Sequence, residues 1–187
     1  MDRLKTSTLI TVFLLTITAF TSFSAKASLL IEPHIGYNVT GNADYSPDKT
    51  KYNGPQYGGR LGVQFVGLMT GLDYTHSTFT HKTTAGNIGE ADQKRDQIGV
   101  FAGYNFPILL RFWGGYYFSD KITQTSGATY WAKGSGTEFG LGFTGLPFLS
   151  INAQYRTSTY DKDVNGTLNP KWKTKEVVLG ISIPLTI

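Results

Sequence analysis

The chain contains no cysteine. Disulfides and thiolate metal sites are therefore excluded, and a small secreted domain without them must rely on a large core or on closed hydrogen bonding. Charge is sparse as well: Asp, Glu, Lys and Arg make up 16% of 187 residues. Beyond residue 27 there is no apolar run long enough to cross a bilayer as a helix, and no segment with a helical period of apolar residues. Neither sign of charge dominates. Three of the 17 basic residues (Arg3, Lys5, Lys26) and one of the 13 acidic ones (Asp2) fall in the first 27 positions, which leaves 14 against 12 in the remainder. A nearly neutral domain gives no reason to expect a nucleic-acid partner. No metal or other cofactor is expected.

The first 27 residues have the layout of a secretory leader. Arg3 and Lys5 precede the apolar stretch 9–20, LITVFLLTITAF, which is too short to span a bilayer comfortably. Ala25-Lys26-Ala27 then supplies small residues on either side of a variable one, the pattern of a signal-peptidase site. The expected domains are a cleaved signal peptide over 1–27 and a mature chain over 28–187. An uncleaved N-terminal anchor is the alternative. With no cysteine beside the cut, the new N terminus is not a lipidation site.

What the chain does have is glycine, 22 residues, and aromatic side chains, 14%. These fall into eight runs in which apolar and small or polar residues alternate: 30–39, 57–65, 70–79, 95–106, 109–119, 135–143, 148–159 and 175–187. Period two is the signature of strands with two unlike faces. Each run is close to the ~9–11 residues that a tilted membrane strand needs. The links alternate in length. Those at 66–69, 107–108 and 144–147 are short; those at 40–56, 80–94, 120–134 and 160–174 are long and polar. The apolar parity carries aromatics toward the ends of runs, among them Tyr37, Tyr57, Phe112, Phe118 and Tyr155. The other parity is mostly Gly, Ser, Asn and Gln with about one charge per run. A soluble, lipocalin-like barrel would instead crowd its outer face with Lys and Glu. The pattern predicts an all-β fold, an eight-stranded antiparallel up-and-down transmembrane β-barrel with both termini on the short-turn side.

The inward parity then carries Glu32, Arg60, Asp73, Arg95, Arg111, Glu138, Arg156 and Glu176, four acids and four arginines. Unpaired ions in a packed lumen are very costly, and the Arg fork suits bidentate pairing with carboxylates. An ion-pair network filling the lumen is expected. Glu32, Asp73 and Arg111 should lie toward the short-turn end, Arg60 near the middle, and Arg95, Glu138, Arg156 and Glu176 toward the long-loop end. His34, Gln64, Gln97 and Gln154 would complete the hydrogen bonding. Glu32 and His34, two residues apart, are the alternative of an acid–base pair, but no nucleophile or cleft accompanies them.

Weaker motifs receive bland readings. His76-Ser77 resembles a hydrolase pair, yet adjacent strand residues point to opposite faces, and His81 lies in the link beyond. Asp161–Gly166, DKDVNG, matches the first half of a calcium loop, but Trp172 stands where the bidentate Glu belongs; a solvated turn is expected. Asn38-Val-Thr40 and Asn165-Gly-Thr167 match a glycosylation pattern with no meaning in a bacterial host. Pro33 and Pro184 each remove a ladder donor near the seam that must close the barrel.

Eight short runs, a leader, long outer links and the closing segment VVLGISIPLTI resemble the OmpA/OmpX-type small outer-membrane barrels. The resemblance covers the whole mature chain and is architectural. It implies an outer-membrane location, contact with outer-membrane lipid and lipopolysaccharide, and insertion by the barrel-assembly machinery. It also implies structural, envelope or adhesive roles through the loops; because the chain stops at the closing strand, no periplasmic peptidoglycan-binding domain is expected. The closing segment ends in Ile187 where the family usually has an aromatic. Tyr45, Tyr52, Tyr130, Trp131, Tyr160 and Trp172, read as loop residues, are candidates for a surface ligand. The expected protein is not an enzyme; a narrow solute channel and an outer-membrane lipid-modifying enzyme are the alternatives.

Overall fold

The computed structural model describes residues 27–45, 48–83, 91–125 and 131–187. The expected leader, Ala27 apart, and Tyr130 lie outside these residues, as do the side chains of Tyr45 and His81. The described chain is β throughout: β1 Ser28–Tyr45, β2 Asp48–Phe65, β3 Leu68–Thr83, β4 Ala91–Asn105, β5 Leu110–Gln124, β6 Trp131–Leu146, β7 Leu149–Asp163, β8 Gly166–Ser182 and the two-residue β9 Leu185–Thr186. Each long strand pairs antiparallel with the next, and β1 pairs with both β2 and β8, closing the barrel. Closure removes the sheet edges and pairs the main chain internally, the condition for a strand protein to cross lipid.

The exterior and interior parities are as the alternation predicts. On β7, Ile151, Ala153 and Tyr155 face out while Ser150, Asn152, Gln154 and Arg156 are buried. The inward glycines make room for large rings in a narrow lumen: a Cβ on Gly41 would stand 2.5 Å from the Tyr52 ring.

Two expectations are corrected. The long polar links are largely strand. β1 and β2 stay paired up to Tyr45 and Asp48, past a register shift between Asn38 and Gly41, and β7 turns into β8 through Val164-Asn165 alone. Above the greasy band the outward positions are polar, as at Asn42, Asp44 and Lys51, so hydrophobic alternation fades while main-chain pairing continues. The last run is also not one strand. It breaks at Ile183-Pro184, where proline withholds an N–H. The seam is nevertheless bonded around both prolines: Ile183 donates to the Pro33 carbonyl at 3.0 Å, and Leu29 and Ile187 exchange two hydrogen bonds.

Candidate functional site: the filled lumen

A β-bulge decides what the lumen contains. β5 loses register between Tyr117 and Asp120, and Phe118 and Ser119 both face out. Every later side chain of β5 therefore changes face. Asp120, outward by simple counting from Leu110, is buried in the lumen. Among the described residues the paired interior thus holds five carboxylates against four guanidiniums, with Asp163 buried apart from them near the β7–β8 turn. Two-way alternation carried no mark of the extra residue, because apolar Phe118 followed by polar Ser119 fits the period.

All eight residues read as inward are buried, and they join Asp120 in one connected network. Toward the short turns, Arg111 grips both oxygens of Glu32, one through Nη1 at 3.0 Å, and also donates to Asn152 and Ser182. Arg60 stands 3.6 Å from the same carboxylate, donates through Nε to Asp73 at 2.7 Å and through Nη2 to Glu138 at 3.0 Å. Glu138 is the hub. It accepts from Trp113 Nε1 at 2.7 Å, Tyr117 at 2.8 Å and Arg156 Nε at 2.9 Å besides Arg60. Toward the other end Arg95 binds Asp120 with two nitrogens, at 2.7 and 2.8 Å, and reaches Glu176 at 2.9 Å. Charge-assisted and two-pronged bonds of this kind offset much of the cost of burying ions.

Three of the four expected polar fillers make hydrogen bonds, and His34 only approaches a carboxylate. Gln97 donates to Asp120 at 3.0 Å, Gln154 accepts from Arg156 at 2.6 Å, and Gln64 accepts from Asn105 at 3.0 Å. His34 Nε2 stands 3.7 Å from Asp73 Oδ1. Glu32 and His34 therefore face different partners and do not form an acid–base couple. The Trp113 indole lies 4.3 Å from the Arg60 guanidinium and 5.0 Å from that of Arg111, so its ring attracts both cations.

Apolar groups gather beside the network in two clusters. Leu30, Met69, Phe101 and Trp113 lie in its short-turn half. Ala43, Tyr52, Phe79, Ile122, Ala132, Tyr160, Leu168 and Trp172 lie in the other. Three aromatics read as surface-binding loop residues, Tyr52, Tyr160 and Trp172, are thus buried inside, a correction that follows from the strands running through those links. Tyr160 and Trp172 stack at 4.9 Å. Trp131 is half-buried, with Lys133 5.1 Å from its ring.

The other motifs separate. Ser77 is buried in the lumen while His76 faces out, its Nδ1 2.7 Å from Asp96 Oδ1, which also accepts from Tyr74 at 3.0 Å. Asp163 accepts the Asn165 N–H at 2.8 Å and so closes its own turn. Among the described residues no three metal-ligating side chains converge. Asn38 is buried and donates to Glu176 at 2.6 Å.

No family model matches the chain, and no curated protein does. Solved structures do. Neisserial surface protein A superposes with a TM-score of 0.57 at 17% identity, covering 84% of this chain and 98% of that one. Ail, the attachment invasion locus protein of Yersinia pestis, in a complex with the heparin analogue sucrose octasulfate, gives 0.53 at 15% identity over 83% and 99%. At such identities the likeness is one of fold: the closed eight-stranded barrel.

Proposed function

We propose that this chain is an integral outer-membrane barrel with a shut lumen, non-enzymatic, serving the envelope structurally and binding at the cell surface through its outer end. The observation that carries the reading is the filling of the interior. Nine charged side chains are paired across the bore, and two buried apolar clusters fill space beside them. A porin lumen is wet and open, whereas eight strands leave only enough space for side chains. The outward apolar positions, Leu61, Leu72, Val100, Phe139 and Leu141 among them, are more than two-fifths exposed, as suits contact with lipid. Planar-bilayer recording tests this against the narrow-channel alternative. Heat-modifiable, refolded protein is expected to give no stable unitary conductance; a uniform, long-lived open level would overturn the reading.

A specific feature favours a polyanion as the surface partner. Lys121 on β5 pairs in register with Lys133 on β6, which pairs with Lys162 on β7, and all three are exposed. Like charges directly opposed on neighbouring strands destabilise a sheet unless an anion lies over them. Lys94, Lys173 and Lys175 are also exposed on this half of the barrel. Phosphates of lipopolysaccharide, or a sulfated glycan of the kind seated on Ail, supply that charge. Insertion would proceed through the barrel-assembly machinery.

A further inference from the structure

The short turns hold an oddity that the filled lumen does not explain. Each contains a non-glycine residue in the left-handed region: Val66 at φ 47°, Leu109 at φ 64° and Phe148 at φ 60°. That conformation crowds a Cβ, most of all on a branched or bulky residue, and turns requiring it usually take Gly or Asn. Phe148 directly follows Pro147 in its two-residue turn, a place that ordinarily calls for glycine. Glycine is not scarce in this chain. It takes positive φ at both ends, as Gly67 at 84° beside Val66 and as Gly166 at 114° where β7 passes into β8.

What the three residues share is a large apolar side chain in the open. Val66 is 58% exposed, Leu109 50% and Phe148 81%. No charged residue occurs anywhere in 61–72, 98–110, 139–155 or 177–187, so this whole end of the exterior lacks the charge that a rim in water would carry. Such a rim in water is an exposed apolar patch of the kind that marks an interaction surface.

The patch is continuous with the lipid-facing band, and on β7 it extends a band that is short there. On β7 the apolar exterior runs from Phe148 to Tyr155, above which Thr157 bonds Thr137 at 3.0 Å on the surface. Those seven steps at about 3.3 Å each, tilted by about 40°, give a height of about 18 Å, short of the ~25 Å of a typical barrel band. Leaving the turns in water would lengthen the shortfall. The turn backbones tolerate a poorly hydrated place because they are tied to neighbouring hairpins: Gly67 accepts the Asn105 N–H and Leu109 accepts the Thr144 N–H, both at 2.8 Å.

We propose that the three short turns are membrane anchors, seated at the acyl-chain boundary of the inner leaflet, with Val66, Leu109 and Phe148 taking phospholipid acyl chains as their partner. The barrel then ends within the leaflet instead of projecting into the periplasm. The proposal rests on the membrane reading above.

The absence of cysteine makes the test clean. Single substitutions Val66→Cys, Leu109→Cys and Phe148→Cys are labelled with an environment-sensitive NBD probe in phospholipid nanodiscs, where both faces meet the buffer. Leu141→Cys marks the middle of the band and Val164→Cys the opposite turn. Nitroxide on the lipid chains and aqueous iodide serve as quenchers. The three turn probes are expected to behave like Leu141, quenched several-fold more by nitroxide than by iodide. Should they behave like Val164, the anchor proposal is overturned while the membrane barrel stands. Should Leu141 behave like Val164 too, the membrane reading itself falls. If Phe148→Cys does not show the folded gel mobility, Leu146→Cys reports the same turn.

Discussion

Gly140 lies so close under the indole of Trp113 that a Cβ added there would stand 2.2 Å from the ring. The neighbour is a rigid aromatic whose N–H is committed to Glu138, so it has little freedom to withdraw. Gly140→Ala is therefore expected to destabilise the barrel by about 1–3 kcal/mol through overpacking. Urea unfolding in detergent, followed by gel mobility, measures it; an unchanged midpoint would contradict the packing described.

Removing one partner of a buried pair leaves the other charge stranded. Arg111→Met is expected to cost about 3–5 kcal/mol, because Glu32 loses its two-pronged partner. Adding Glu32→Gln to it should recover part of the loss. A double-mutant cycle checks this, and strict additivity of the two losses would refute direct coupling.

Asp120 offers a sharper comparison, because simple alternation places it outside. Asp120→Asn should cost on the order of 2–4 kcal/mol, since two nitrogens of Arg95 lose their carboxylate. The same change at exposed Asp92 should stay within about 0.5 kcal/mol. Equal effects at the two sites would mean that the β5 bulge is misplaced.

The lysine row predicts a binding defect without a folding defect. Replacing Lys121, Lys133 and Lys162 together by Gln should lower the salt concentration at which the protein leaves immobilised heparin and weaken its co-purification with lipopolysaccharide. Substituting Lys51 and Lys171 together, compared with Lys121 and Lys162 together, controls for net charge. If these two double variants elute alike, only bulk charge matters and the row is no site.

Much of the architecture was legible because, on the membrane reading proposed above, lipid enforces it. The lipid-facing positions of 30–39, 57–65 and 135–143 had to be apolar, so period two showed plainly there, and with it Glu32, Arg60 and Glu138. Residues 160–174 escaped because water bathes their outer face. Lys162, Lys171 and Lys173 look like a loop when only hydrophobicity is read, although Tyr160 and Trp172 keep the inward phase. Asp120 escaped for a different reason: one inserted residue shifts parity without leaving a compositional trace. The pairing partners were never in the sequence. Arg60 and Glu138 are 78 positions apart, and only closure of the cylinder brings them within 3.0 Å.

The continuation of the strands above the greasy band has a thermodynamic consequence for recognition. The lysine row stands on hydrogen-bonded wall backed by buried aromatics, so its spacing exists before any guest arrives. Association there forfeits little main-chain freedom, and affinity is reduced chiefly by the freezing of lysine rotamers and the stripping of water from them.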